Sequence, residues 1–108
     1  MDNREFERRK LLALAAIRQA HGTEDGADSV DFFVAHHLEE LPKEYWQEQL
    51  ATATPNVAAV IGLLVFRSSW GKNDLETFDF TLPGDVTNYV VSVHFDEAGE
   101  IDGLDMES

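Results

Sequence analysis

Residues 77–108 run TFDFTLPGDVTNYVVSVHFDEAGEIDGLDMES, and over most of that length apolar and polar side chains alternate. A period of two places one face of a strand in a core and the other in water. Phe78, Phe80 and Leu82 share one face of a first strand, with Asp79 and Thr81 on the other. Pro83-Gly84 then turns the chain, because proline presets a negative φ and glycine accepts the positive φ that follows. Alternation resumes with Tyr89, Val91, Val93 and Phe95 against Asn88, Val90, Ser92, His94 and Asp96, which makes a second, antiparallel strand. The sequence Asp96-Glu97-Ala98-Gly99 reads as a short hairpin loop with Gly99 left-handed, leading into a strand over 100–106. Ile101 and Leu104 lie three apart and cannot share a face of a regular strand, so a bulge is expected at Gly103.

The preceding residues supply cover for that sheet. Residues 4–21 contain no Gly or Pro and set Phe6, Ala13, Ile17 and Ala20 on one stripe, with Leu14 beside it. That is a helix ending at His21-Gly22. Asp28 or Ser29 caps a second helix with Val30, Phe33, Val34, His37, Leu38 and Leu41 at helical spacing. Pro42 separates it from a third over 43–51, with Tyr45, Trp46, Gln49 and Leu50 on one side. The apolar run VAAVIGLLVF suits a buried helix or a buried strand. Pro55 favours a helical opening, so a helix is expected over 55–61 and a strand over 63–69, turned by Gly71-Lys72-Asn73-Asp74 into the Phe78 strand. The expected architecture is α+β: a two-layer sandwich with N-terminal helices on a C-terminal antiparallel sheet of three to four strands. One domain spans 1–108, helical over about 4–61 and a β-meander over about 63–106.

The chain has 108 residues and no cysteine, which excludes disulfides, zinc–thiolate sites and thiol nucleophiles. No stretch approaches the roughly 20 apolar residues that span a bilayer, and the charged N-terminus has no export pattern. No membrane association and a cytoplasmic location are therefore expected. Acidic residues outnumber basic ones 21 to 8. Five of the eight cations (Arg4, Arg8, Arg9, Lys10 and Arg18) fall within the first 18 residues, so the remaining 90 carry a net charge of −15. Such a body repels phosphate backbones, and nucleic acid is not an expected partner. Solubility alone explains an acidic surface; a basic partner is the sharper reading. The Arg8-Arg9-Lys10 cluster reads as a solvated helix face leaning on the acidic body.

Few side chains form constellations with chemical promise. His36 shares a helix face with Glu39 and Glu40, and His36, His37 and Glu40 are the candidate metal or acid–base residues. They lack the second histidine one turn away that a zinc-binding HExxH motif supplies, with His21 or His94 as distant completing ligands. The structural alternative places His37 on the apolar stripe and His36 beside a carboxylate in water. The loop TEDGADS lacks the ligand register of a calcium loop. Asp79, Asp85, Asp96 and the acids at 100, 102, 105 and 107 read as a solvated face rather than a glycosidase pair. Ser68, Ser69 and Ser92 sit in no nucleophile elbow, and the glycines form no phosphate or dinucleotide fingerprint. Trp70, beside a turn, is the candidate interaction anchor.

The segments Phe78-Asp79-Phe80-Thr81-Leu82-Pro83, Thr87-Asn88-Tyr89-Val90, Phe95-Asp96 with Gly99-Glu100-Ile101, and Met106-Glu107-Ser108 resemble an uncharacterised bacterial family, the domain-of-unknown-function family two thousand and four. The resemblance covers roughly the last third of the chain, and more loosely His36-His37-Leu38-Glu39-Glu40 and Tyr45-Trp46. It implies a small bacterial cytosolic protein with a two-layer α/β arrangement, and it brings no catalytic residues or cofactor. The expected function is a non-enzymatic binding protein. Its partner is either a second copy, through a sheet edge or the second sheet face around Val90, or a basic protein that it masks as an immunity-type inhibitor. The alternative is a small metal-dependent or hydrolytic enzyme built on His36, His37 and Glu40.

Overall fold

The structure, a computed structural model, describes residues 4–24 and 26–107. The described elements are α1 (Arg4–Ala20), α2 (Val30–Glu40), α3 (Lys43–Leu50), α4 (Val57–Leu63), β1 (Val65–Trp70), a 3-10 turn (Lys72–Asp74), β2 (Thr77–Thr81), β3 (Val90–Phe95) and β4 (Ile101–Glu107). The strands form one antiparallel sheet in the order β1-β2-β3-β4. Helices first and a meander second give the expected α+β sandwich. The fourth helix starts two residues later than the sequence suggests, because Asn56 takes the cap: its side-chain oxygen accepts from the Ala59 N–H at 2.8 Å. Pro55 therefore precedes the cap instead of opening the helix.

The core follows the two periodicities. Ala13, Ile17 and Ala20 from α1 join Val30, Phe33 and Val34 from α2, Trp46 from α3 and Val60 and Ile61 from α4, all on Phe78, Phe80, Val91 and Val93 of the sheet. Phe78 lies opposite Val93 and Phe80 opposite Val91, so the strand register stacks the apolar face into one layer. Phe6 reaches this layer too, with its ring 5.3 Å from that of Phe78 and 5.5 Å from that of Phe66. The smallest dimension of the molecule is 20 Å, the depth of one helix layer on one sheet.

Two bulges adjust the edge strands. In β1, Phe66 opposes Phe80 and Ser68 opposes Asp79, leaving Arg67 as the extra residue. In β4, Gly103 opposes His94 and Ile101 opposes Phe95, so the extra residue is Asp102, one before the expected Gly103. That insertion puts Ile101 opposite Phe95 despite the irregular spacing; Leu104 and Met106 pack against the core while Ile101 stays exposed.

Loops are fixed by their own polar groups. In the last hairpin, Asp96 Oδ1 accepts from the N–H groups of Ala98 and Glu100 at 2.9 and 3.0 Å, and Gly99 is left-handed as expected. The loop between β2 and β3 is longer than a tight turn. Tyr45 on α3 pins it by donating to the Pro83 carbonyl at 2.8 Å, and burial raises the phenol pKa. Between α1 and α2 the chain crosses directly over the end of α1. A Cβ on Gly26 would stand 2.0 Å from the Ala20 carbonyl oxygen, so only glycine fits.

Candidate functional site

His37 and His36 point in different chemical directions. His37 is buried on the inner stripe of α2, where Nδ1 lies 2.7 Å from the Phe33 carbonyl and Nε2 2.8 Å from the Thr87 hydroxyl. A carbonyl only accepts, so Nδ1 carries the proton and Nε2 accepts from Thr87. Both ring nitrogens are thereby engaged, and burial, ahead of smaller charge effects, lowers the pKa and favours the neutral ring. His36 instead meets the Phe32 ring, stacked at 6.4 Å, and the edge of Tyr89 at 5.0 Å. Glu40 is exposed. Among the described residues no three His, Asp or Glu side chains come together to hold a metal ion. His21 is paired elsewhere, with Nδ1 2.8 Å from Asp31 Oδ1. Burial works against the Asp31 carboxylate, yet His21 and the Gly22 N–H outweigh it and hold the pKa below its usual value. In the loop TEDGADS, Glu24 and Asp28 are exposed and Asp25 lies outside the described residues.

Charge on α1 is spent within the fold. Glu5 takes both Arg8 and Arg9, and their guanidinium donors pull its carboxyl pKa down to about 2. Arg9 also donates to the Leu75 carbonyl at 2.8 Å and lies 5.5 Å from the centre of the Phe95 ring. Lys10 lies over the rings of Phe6 and Phe66. The cluster thus leans on the body as expected, but only Arg8 is solvated; Arg9, 11 % exposed, ties α1 to the sheet.

The helices that build the core all pack against one face of the sheet; the other face carries a polar array. Cross-strand register divides it into three rows: Val65, Thr81, Val90 and Glu107; then Ser68, Asp79, Ser92 and Asp105; then Trp70, Thr77, His94 and Gly103. The Trp70 indole N–H donates diagonally to Asp79 Oδ2 at 3.2 Å, and Ser92 donates to Asp79 Oδ1 at 2.6 Å. Thr77 Oγ1 is 3.0 Å from His94 Nδ1, and His94 Nε2 is 2.8 Å from Asp105 Oδ2. The Asp105 carboxylate only accepts, so Nε2 carries a proton. Val90 on this face is buried, outside the core cluster. Trp70 stands 47 % exposed at the end of its row.

The order of hydroxyl, imidazole and carboxylate in Thr77, His94 and Asp105 matches a nucleophile, its base and the group that orients the base. The chemistry does not follow. Thr77 is only 2 % exposed, and it lies between paired strands whose backbone N–H groups are used by the ladders, so none is free to hold an oxyanion. The array is a hydrogen-bonded polar network whose central members, Thr77 and Ser92, are buried and whose Trp70 and Asp105 are exposed. Sequence reasoning singled out Trp70 and missed this network, because the Thr77–His94 and Asp79–Ser92 pairs become visible only when Phe78 is set opposite Val93.

No described helix is long and apolar enough to cross a membrane. In comparisons with known proteins, no protein-family model, no curated protein and no solved structure matches the chain.

Proposed function

We propose that the protein is a non-enzymatic binding module that docks a basic protein on the outer face of its sheet. One observation carries this reading. Asp79 and Asp105 share one row and Glu107 lies in the next, on a face that ends in a half-exposed tryptophan, while Arg8, Arg9 and Lys10 are committed to the opposite layer. Opposite charge steers a basic partner to such a face, and an aromatic side chain fixes it there. The same carboxylates oppose a second copy packed face to face. An immunity-type or inhibitory role toward a basic enzyme, such as a nuclease, is the use that fits this surface. The resemblance of the C-terminal segments to the bacterial family of unknown function agrees, since it brings no catalytic residues and implies a cytosolic protein.

The test compares the wild-type chain with the double variant Asp105→Asn, Glu107→Gln as baits for lysate proteins at low salt. A basic protein that the wild type retains, the variant loses and a salt step releases is the expected result. Equal capture by both baits, or capture unaffected by salt, would overturn the reading.

A further inference from the structure

Trp70 has a chemistry that charge alone does not supply. Its indole N–H is bonded to Asp79, whose other oxygen is held by the fully buried Ser92, so the ring is pinned rather than free to fold away. Among the described residues the cation–π contacts of Arg9 on Phe95 and of Lys10 on Phe6 and Phe66 lie on other rings than Trp70. A second carboxylate is near on the chain. The Glu76 side chain folds against Gly71, the residue after Trp70, with Oε2 2.7 Å from where a Cβ would be. A pinned, half-exposed indole flanked by carboxylates suits a planar cation. A guanidinium stacks its plane on the ring and keeps a rigid fork of in-plane N–H donors for a carboxylate, whereas an ammonium offers no plane to stack and is more strongly hydrated.

We infer that Trp70 and Asp79 form an arginine-selective anchor for the basic partner. The inference rests on the docking face proposed above and adds which residue of the partner is recognised. Arg67 and Lys72, the cations nearest Trp70 on the chain, are exposed and lie in the β1 bulge and the following turn. Their repulsion acts on an incoming lysine and an incoming arginine alike, so a preference for arginine reports the ring contact.

The experiment titrates hexa-arginine and hexa-lysine, peptides of equal charge, into the whole chain at low salt. Binding is followed through the indole N–H resonances of Trp46 and Trp70. The expected result is that hexa-arginine binds about three-fold more tightly than hexa-lysine and moves the Trp70 resonance while the buried Trp46 stays still. Trp70→Ala abolishes that preference by bringing hexa-arginine affinity down to that of hexa-lysine, and Trp70→Phe keeps part of it. Equal, salt-sensitive binding of both peptides to the wild type would overturn the anchor and leave the acidic docking face standing. Absence of binding by either peptide would overturn both.

Discussion

His37 Nε2 accepts a hydrogen bond of 2.8 Å from the Thr87 hydroxyl, tying the buried side of α2 to the loop between β2 and β3. Thr87 also accepts from the Tyr89 N–H at 3.1 Å, so one hydroxyl organises both the histidine and the entry to β3. Thr87→Val keeps the shape and leaves a buried acceptor unpaired. It is expected to cost about 1–3 kcal/mol in urea unfolding, whereas Thr87→Ser stays close to wild type. Equal stability of the valine variant would remove this bond from the account.

The same histidine predicts a pH dependence. Burial depresses the His37 pKa in the folded state below the ordinary 6.5, so between those two values the unfolded chain binds more protons. Stability is fully present above about 6.5 and falls as pH drops below it. Glu5 acts in a second window: its folded pKa of about 2 lies below the usual 4.5, so its contribution is present above 4.5 and is lost as pH falls toward 2. Thermal melts between pH 7.5 and 5 are expected to show a falling Tm that the His37→Gln variant lacks. A flat wild-type profile across that range would contradict the burial argument.

Neighbouring arginines on α1 are expected to differ sharply. Arg9 is 11 % exposed and bonds Glu5 and, at 2.8 Å, the Leu75 carbonyl beside the Phe95 ring; Arg8 is 49 % exposed, shares Glu5 and reaches the Gly99 carbonyl only at a marginal 3.5 Å. Arg9→Met should cost about 2 kcal/mol by losing a charge-assisted bond to a backbone carbonyl. Arg8→Met should cost less than about 1 kcal/mol, the usual range for an exposed pair. Chemical denaturation of the two variants side by side would show the contrast, and equal losses would refute it.

Gly71 is predicted to resist substitution. Its φ of 91° and ψ of −166° fall where only glycine is comfortable, and an added Cβ would stand 2.5 Å from the Cβ of Glu76. Gly71→Ala should lower stability by about 2–3 kcal/mol, strain and clash together, and displace Trp70 at the end of β1. A near-neutral alanine variant with unchanged Trp70 fluorescence would argue against both parts.

How much of this was legible in the sequence differs by element. The helices on Ala13–Ile17 and on Phe33–His37, and the alternating strands through Phe78 and Val91, follow from periodicity because each buries one face and solvates the other. The bulge in β4 was legible from the phase break between Ile101 and Leu104, but its position was not. Glycine marks a place where backbone can deform, while the register puts the extra residue at Asp102. His37 could be placed on the core side from its spacing, yet its partner Thr87 lies 50 residues away and no local pattern points to it. The outer array was hidden for a similar reason. Thr77, Asp79, Ser92, His94 and Asp105 are scattered polar residues until three strands are aligned.

Because every described α-helix precedes every described strand, the order of synthesis sets an exposure problem. Ala13 and Ile17 leave the ribosome long before Val91 and Val93, the strand residues that complete their core. At about 5–20 residues per second the apolar stripe of α1 waits several seconds without its sheet. The charged residues of that same helix, Glu5, Arg8, Arg9 and Lys10, keep the waiting segment hydrated; once the sheet arrives, they become the clasp that closes over it.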